Sequence, residues 1–257
     1  MKILVIGATG HIGTYLVPRL LAAGHRVAAM HRGNREPYSL KPAWRQVEKI
    51  HLDRREEEKK GTFAIAVAAV GAEVIIDLIL FDRDSLAPLV EALRGRCRHY
   101  VCCGTMWVYG PTEFAPTREE HLRLADEDYG RNKAEVELEL LRLSACEGFP
   151  ATTLHPGHIV GPGWPPIGPT GNLDLTAFEK LGRGEEVCLP DMGLGTLHHV
   201  HADDVAQAFE RAVECPNVSI GESFNVVSPE ALTLRGLCRA VAGWFGREPR
   251  LTYLPWD

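Results

Sequence analysis

Several things are missing from this 257-residue chain, and each omission removes a class of function. No stretch approaches the ~20 consecutive apolar residues that a membrane-spanning helix needs, and "MKILVIGATG" at the start is interrupted by glycine after a few apolar residues, unlike a secretory leader. There is no basic excess: 28 Lys and Arg stand against 34 Asp and Glu, a net charge of −6, so bulk charge offers nothing to a phosphate backbone. The seven cysteines (Cys97, Cys102, Cys103, Cys146, Cys188, Cys215 and Cys238) contain no CxxC pair and read as reduced thiols. Repeats and low-complexity tracts are absent. The expectation is a soluble cytoplasmic protein with a small-molecule substrate, no membrane association and no nucleic-acid partner, with a homodimer left open.

What is present is a globular composition, 45% hydrophobic and 24% charged, long enough to bury a sizeable core. Short β-branched runs alternate with helical patterns: "KILVI", helix 11–23, "RVAAM", "VEKIHL", helix 56–70, "EVIIDLIL", helix 84–93, "HYVCC", helix 130–147 and "ATTLH". Such alternation builds right-handed βαβ units on a parallel sheet. The fold class is therefore α/β, a Rossmann-type doubly wound parallel sheet over residues 1–160. From 161 the texture changes to "GPGWPPIGPTG", followed by helix 173–183, strand "TLHHV", helix 203–214, strand "SFNVV" and helix 233–245. Residues 161–257 are expected to form a small C-terminal α/β cap interleaved with the sheet edge. Its ending, "REPRLTYLPWD", closes on no further element and leaves truncation open.

Gly7, Gly10 and Gly13 in "GATGHIG" follow the first strand and open the first helix, with Thr9, His11 and Ile12 between them. Glycine allows the tight turn, the approach of backbone N–H groups to a pyrophosphate, and close helix–strand packing, while the helix N-terminus adds a positive dipole end. At the end of the second strand, where NAD-binding proteins place an acid for the ribose diol, stand His31 and Arg32. A guanidinium can hold a 2′-phosphate that a carboxylate would repel. The expected cofactor is NADP, with NAD the alternative if Arg32 is an ordinary surface residue. Asp53 could accept from the adenine amino group or cap a helix.

The segments "GATGHIG", "GTMWVYG", "YGRNK", "LHPGHIVGPG" and "HVHADDVAQAF" together resemble the extended short-chain dehydrogenase/reductase family, also called the NAD-dependent epimerase/dehydratase family. The resemblance implies that Tyr129 and Lys133 act as a pair and that Thr105 hydrogen-bonds the substrate oxygen. Elementary chemistry agrees for the pair: positions i and i+4 share a helix face, and an ammonium beside a phenol favours the phenolate, suiting it to general acid–base work. Lys133 is also expected to hold the nicotinamide ribose. The resemblance places Leu78, with Ile79 and Leu80, beside the cofactor, where relatives carry smaller residues, so a tighter pocket is expected.

In the family's sugar-nucleotide 4,6-dehydratases an aspartate and a glutamate follow the threonine; here those places hold Met106 and Trp107, which transfer no proton at neutral pH. The implied activity is an NAD(P)-dependent oxidoreductase or epimerase acting on a hydroxyl or keto carbon, a nucleotide sugar being one candidate substrate, and not a 4,6-dehydratase. The alternative is a catalytically silent dinucleotide-binding regulatory or RNA-associated protein. His198, His199 and His201 with Asp203 and Asp204 have a metal-like look, but strand alternation and helix capping account for them, so no metal is expected.

Overall fold

The computed structural model describes residues 1–38, 42–111 and 114–254. β-Branched and aliphatic runs form strands β1 (Lys2–Ile6), β2 (Arg26–His31), β3 (Glu48–His51), β4 (Val74–Asp77), β5 (His99–Cys103) and β6 (Ala151–Pro156). With the strand Ser223–Val226 they make one seven-stranded, all-parallel sheet in the order Ser223–Val226, β6, β5, β4, β1, β2, β3. The chain winds outward from β1 to β3 and then crosses back to β4 on the other side of β1. That reversal opens the crevice at the carboxyl ends of the strands where such sheets bind ligands.

Strand residues alternate between the two faces. One face carries Leu4, Ile6, Ala28, Met30, Ile75 and Tyr100, which pack with Phe63 and Val67 of α3 (Phe63–Ala69), Leu86, Leu89 and Leu93 of α4 (Arg83–Leu93), and Val136 and Leu140 of α5 (Asp128–Glu147). The opposite parity, Ile3, Val5, Val27, Ala29 and Val101, is equally buried. The helices α1 (His11–Ala22) and Ala202–Glu214 pack on each other, and Arg19 of α1 pairs with Asp203 and Glu210.

The chain divides into two compact units, 1–156 with 202–226, and 157–201 with 227–257. The helix Ala202–Glu214 and strand Ser223–Val226 thus belong to the first unit, because Ser223–Val226 pairs with β6. The second unit has its own core, in which Ala177 and Leu181 of the helix Thr176–Arg183 meet Leu234, Leu237 and Val241 of the helix Leu234–Trp244. There the strand Arg250–Tyr253 pairs in parallel with Glu186–Leu189.

Three elements differ from expectation. The helix expected over 56–70 is two, α2 (Arg54–Lys59) and α3, because Gly61 between them has φ +70°. The run 73–80 leaves the sheet after Asp77, whose carboxylate accepts the Ile79 N–H at 3.0 Å and turns the chain. "TLHHV" is divided into Thr196–Leu197 and His199–His201, which pair with different strands, Leu232–Thr233 and His158–Val160.

Candidate active site

The turn between β1 and α1 depends on its glycines. Gly7 adopts φ +83°, and a Cβ on Gly13 would lie 2.1 Å from the Ala8 carbonyl oxygen, so only glycine lets helix and turn approach this closely. Gly10 is the N-cap, and the first turn of α1 contains no acid, so no carboxylate of that turn competes for its leading N–H groups. Thr9, His11 and Ile12 are buried, and the His11 ring packs 5.5 Å from that of Tyr38 and 6.2 Å from that of Tyr15. These features fit the pyrophosphate of a dinucleotide. Leu78 and Ile79 close over the turn: a Cβ on Gly7 would lie 2.8 Å from Ile79 Cγ2.

At the end of β2, His31 is buried, its Nδ1 accepting the Gly33 N–H at 3.1 Å, with the His51 ring edge-on at 4.7 Å. Burial, helped by His51, lowers its pKa below that of a free histidine, so the ring stays neutral. Arg32 is exposed. Asp53 is the N-cap of α2, its Oδ1 accepting from the Arg55 N–H at 2.9 Å and the Glu56 N–H at 3.4 Å. The sequence reading overlooked its neighbour Arg54, which is buried and donates to both oxygens of buried Asp77 at 3.0 and 2.9 Å. Tyr100 also donates to Asp77, at 2.9 Å. This cluster holds the turn that carries Leu78 and Ile79 against Gly7. The signal for it was an acid inside an apolar run, "EVIIDLIL".

Thr105 is buried at the end of β5 and caps the 3-10 turn Met106–Tyr109, its Oγ1 accepting the Trp107 N–H at 3.3 Å. That bond leaves the hydroxyl proton uncommitted. α5 begins directly against this turn, since a Cβ on Gly130 would be 2.6 Å from the Trp107 carbonyl oxygen. Tyr129, 45% exposed, and Lys133, 2% exposed, lie one helical turn apart, with Lys133 Nζ 6.0 Å from the Tyr129 ring centre and 4.9 Å from that of Phe81. The ammonium donates to the carbonyls of Leu80 at 2.6 Å and Cys103 at 2.7 Å. It is therefore anchored at the end of β5 and on the segment that follows β4, with backbone carbonyls rather than a carboxylate as its acceptors. Met106 packs against Val108, Tyr109 and Ala134, whereas Trp107 is half-exposed.

Among the described residues, no three His, Cys, Asp or Glu side chains are grouped to hold a metal. His199 bonds the Ile167 carbonyl, and Asp203 pairs with Arg19. No described helix is long and apolar enough to cross a membrane.

The model of the NAD dependent epimerase/dehydratase family matches residues 3–226. The chain belongs to this family. Among its curated relatives is the chloroplast stem-loop binding protein of 41 kDa b of Arabidopsis thaliana, 26% identical over 94% of this chain; the chain spans 62% of that protein's length. It is also similar to the UDP-glucose 4-epimerase of Mycolicibacterium smegmatis, 27% identical over 96% of this chain and 83% of the other. A dTDP-4-dehydro-6-deoxy-D-allose reductase of Streptomyces bikiniensis is 25% identical over 98% and 84%. The same fold occurs in the UDP-glucose 4-epimerase of Thermotoga maritima (TM-score 0.78, 21% identity, 100% of this chain and 86% of the other) and in that of Thermus thermophilus in complex with NAD (TM-score 0.74, 23%, 98% and 86%). NAD(P) binding is typical of the family.

Proposed function

We propose that this family member is an NAD(P)-dependent oxidoreductase or epimerase acting on a carbon that bears a hydroxyl or keto group, with nucleotide-activated sugars as the substrate class. One observation carries the reading: an exposed phenol, Tyr129, stands one turn before a buried ammonium, Lys133, on the helix that starts against the Thr105 turn. Tyr129 takes or returns the hydroxyl proton. Thr105 donates its free hydroxyl proton to the substrate oxygen and orients it. Lys133 places positive charge beside the phenol and reaches the nicotinamide ribose. Bound NAD(P) supplies the hydride acceptor and donor. The relatives named for epimerase and sugar-reductase activities support the substrate class.

Met106 and Trp107 follow Thr105 with no titratable group, so the site lacks the acid and base that expel water, and the reaction is not a 4,6-dehydration. Neutral His31 and exposed Arg32 favour NADP over NAD. A second reading, RNA association without catalysis, is favoured by the name of the chloroplast relative. Filter binding with a stem-loop RNA addresses it, and tight binding without turnover would select it.

The test of the enzyme is a panel of UDP- and dTDP-activated hexoses with NADP or NADPH, followed by mass spectrometry. Tyr129→Phe is expected to lower turnover by at least about 100-fold, the contribution of a positioned acid–base group, while calorimetric cofactor affinity is kept. Wild-type turnover in Tyr129→Phe would overturn the assignment.

A further inference from the structure

Tyr129, Lys133 and Glu137 follow one another at four-residue steps on α5 and so share a face. The first two have roles in the reaction above; Glu137 has none, although it is fully buried. Its carboxylate accepts from Arg123, whose Nε lies 2.9 Å from Oε2, and its Oε1 lies 3.0 Å from Nε2 of His155 on β6. His155 is fully buried too, and its Nδ1 lies 3.0 Å from the Thr105 backbone nitrogen. Nδ1 also lies 3.1 Å from the Thr105 carbonyl oxygen, so the ring meets both backbone groups of Thr105. A backbone N–H can only donate, so a neutral ring with its proton on Nε2, facing Glu137 Oε1, leaves Nδ1 to accept it.

The ring has no room to slide. A Cβ on Gly104 would lie 2.3 Å from His155 Nδ1 and 2.6 Å from Cε1, so the glycine of "GTMWVYG" leaves the space that the imidazole fills. Gly104 itself donates to the Leu154 carbonyl at 2.7 Å, tying the end of β5 to β6 beside the same histidine. Arg123 is fixed in turn by its guanidinium lying 4.7 Å from the Tyr109 ring centre, and Tyr109 donates to Asn225 at 2.9 Å. The chain Arg123, Glu137, His155 ends on the backbone of Thr105, whose hydroxyl is already oriented by the Trp107 N–H.

We propose that His155, held by Glu137, is a positioning residue that fixes Thr105 so that its hydroxyl proton points to the substrate oxygen; this rests on the catalytic reading of Thr105 given above. α5 then serves as a ruler, with Tyr129 at the rim, Lys133 on the end of β5 and the segment after β4, and Glu137 setting the Thr105 turn through β6.

Two substitutions separate positioning from simple burial of a charge. In His155→Asn the side-chain oxygen sits where Nδ1 was and can accept the Thr105 N–H, but nothing reaches Glu137. In His155→Gln the amide reaches Glu137, but Thr105 loses its acceptor. Positioning predicts that His155→Gln lowers kcat by about tenfold, the worth of one buried hydrogen bond, with KM near wild type, and speeds exchange of the Thr105 amide by a similar factor. His155→Asn, which keeps an acceptor for Thr105 but loses the hold of Glu137, should show a clearly smaller loss in both. A third measurement needs no variant: nitrogen-15 NMR of the wild-type imidazole should show the proton on Nε2 and a bare Nδ1. The proposal is overturned by a proton on Nδ1, or by kcat losses that are equal in the two variants or larger in His155→Asn. Wild-type inactivity across the hexose panel would overturn the catalytic reading and the proposal with it, whereas turnover with the wrong order of variants overturns the proposal alone.

Discussion

Replacing Glu137 by glutamine changes one atom at a fully buried charge of the candidate site, and its cost follows from the surroundings. Burial works against ionisation of this carboxyl, but the hydrogen bonds and positive charge of Arg123, with the His155 ring beside it, outweigh it and hold the pKa at about 2, against 4.5 ordinarily. A carboxylate with a depressed pKa contributes stability that is fully present above its unfolded pKa and is lost as pH falls through the folded one. The window here runs from about pH 4.5 down to about pH 2. Linkage makes the ionisation worth about 3 kcal/mol at pH 7 and about 1.4 kcal/mol at pH 3. Glutamine has one acceptor where the carboxylate has two, so its amide faces the Arg123 Nε–H donor to donor. Urea unfolding followed by circular dichroism is the assay. With an m-value of about 2 kcal/mol per molar, the Glu137→Gln midpoint should fall by about 1.5 M at pH 7. The gap should shrink by about half at pH 3. Equal midpoints at pH 7, or a gap that does not narrow on acidification, would refute the reasoning.

Asp53→Ala should cost about 1 kcal/mol through loss of the α2 cap and leave cofactor affinity unchanged, measured by thermal unfolding and calorimetry; weakened cofactor binding at full stability would return Asp53 to the adenine. Gly104→Ala drives a methyl against the clamped His155 ring and should destabilise by about 1–3 kcal/mol. An unchanged urea midpoint would show that the ring moves freely. Arg32→Ala should weaken NADP(H) by about 10- to 100-fold, the worth of charged hydrogen bonds to a phosphate, and leave NAD(H) affinity in place. Equal losses for the two cofactors in calorimetric titration would remove Arg32 from the 2′-phosphate.

The features that the sequence alone determined are those whose cause lies within a few residues. The glycine turn is legible because its positive φ and its close helix approach are required inside "GATGHIG" itself. The alternation of strand and helix is legible because each period repeats locally, and Tyr129 with Lys133 because four residues make one helical turn. Tertiary structure alone decided the contacts between distant segments. Asp77 looked like part of an apolar strand until Arg54, which opens α2, and Tyr100 of the adjacent β5 came in to satisfy its charge. Ser223–Val226 read as cap until it paired with β6. Glu137 lies inside the helix expected over 130–147, and His155 ends the expected strand "ATTLH", with nothing local to single out either. The order of the sheet brings His155 between α5 and the Thr105 turn, where the buried carboxylate accepts from Arg123 with the His155 ring 3.0 Å away, and Nδ1 of that ring meets the Thr105 backbone. Hydrophobic period records which face of an element is buried, but not which polar group waits on the element packed against it.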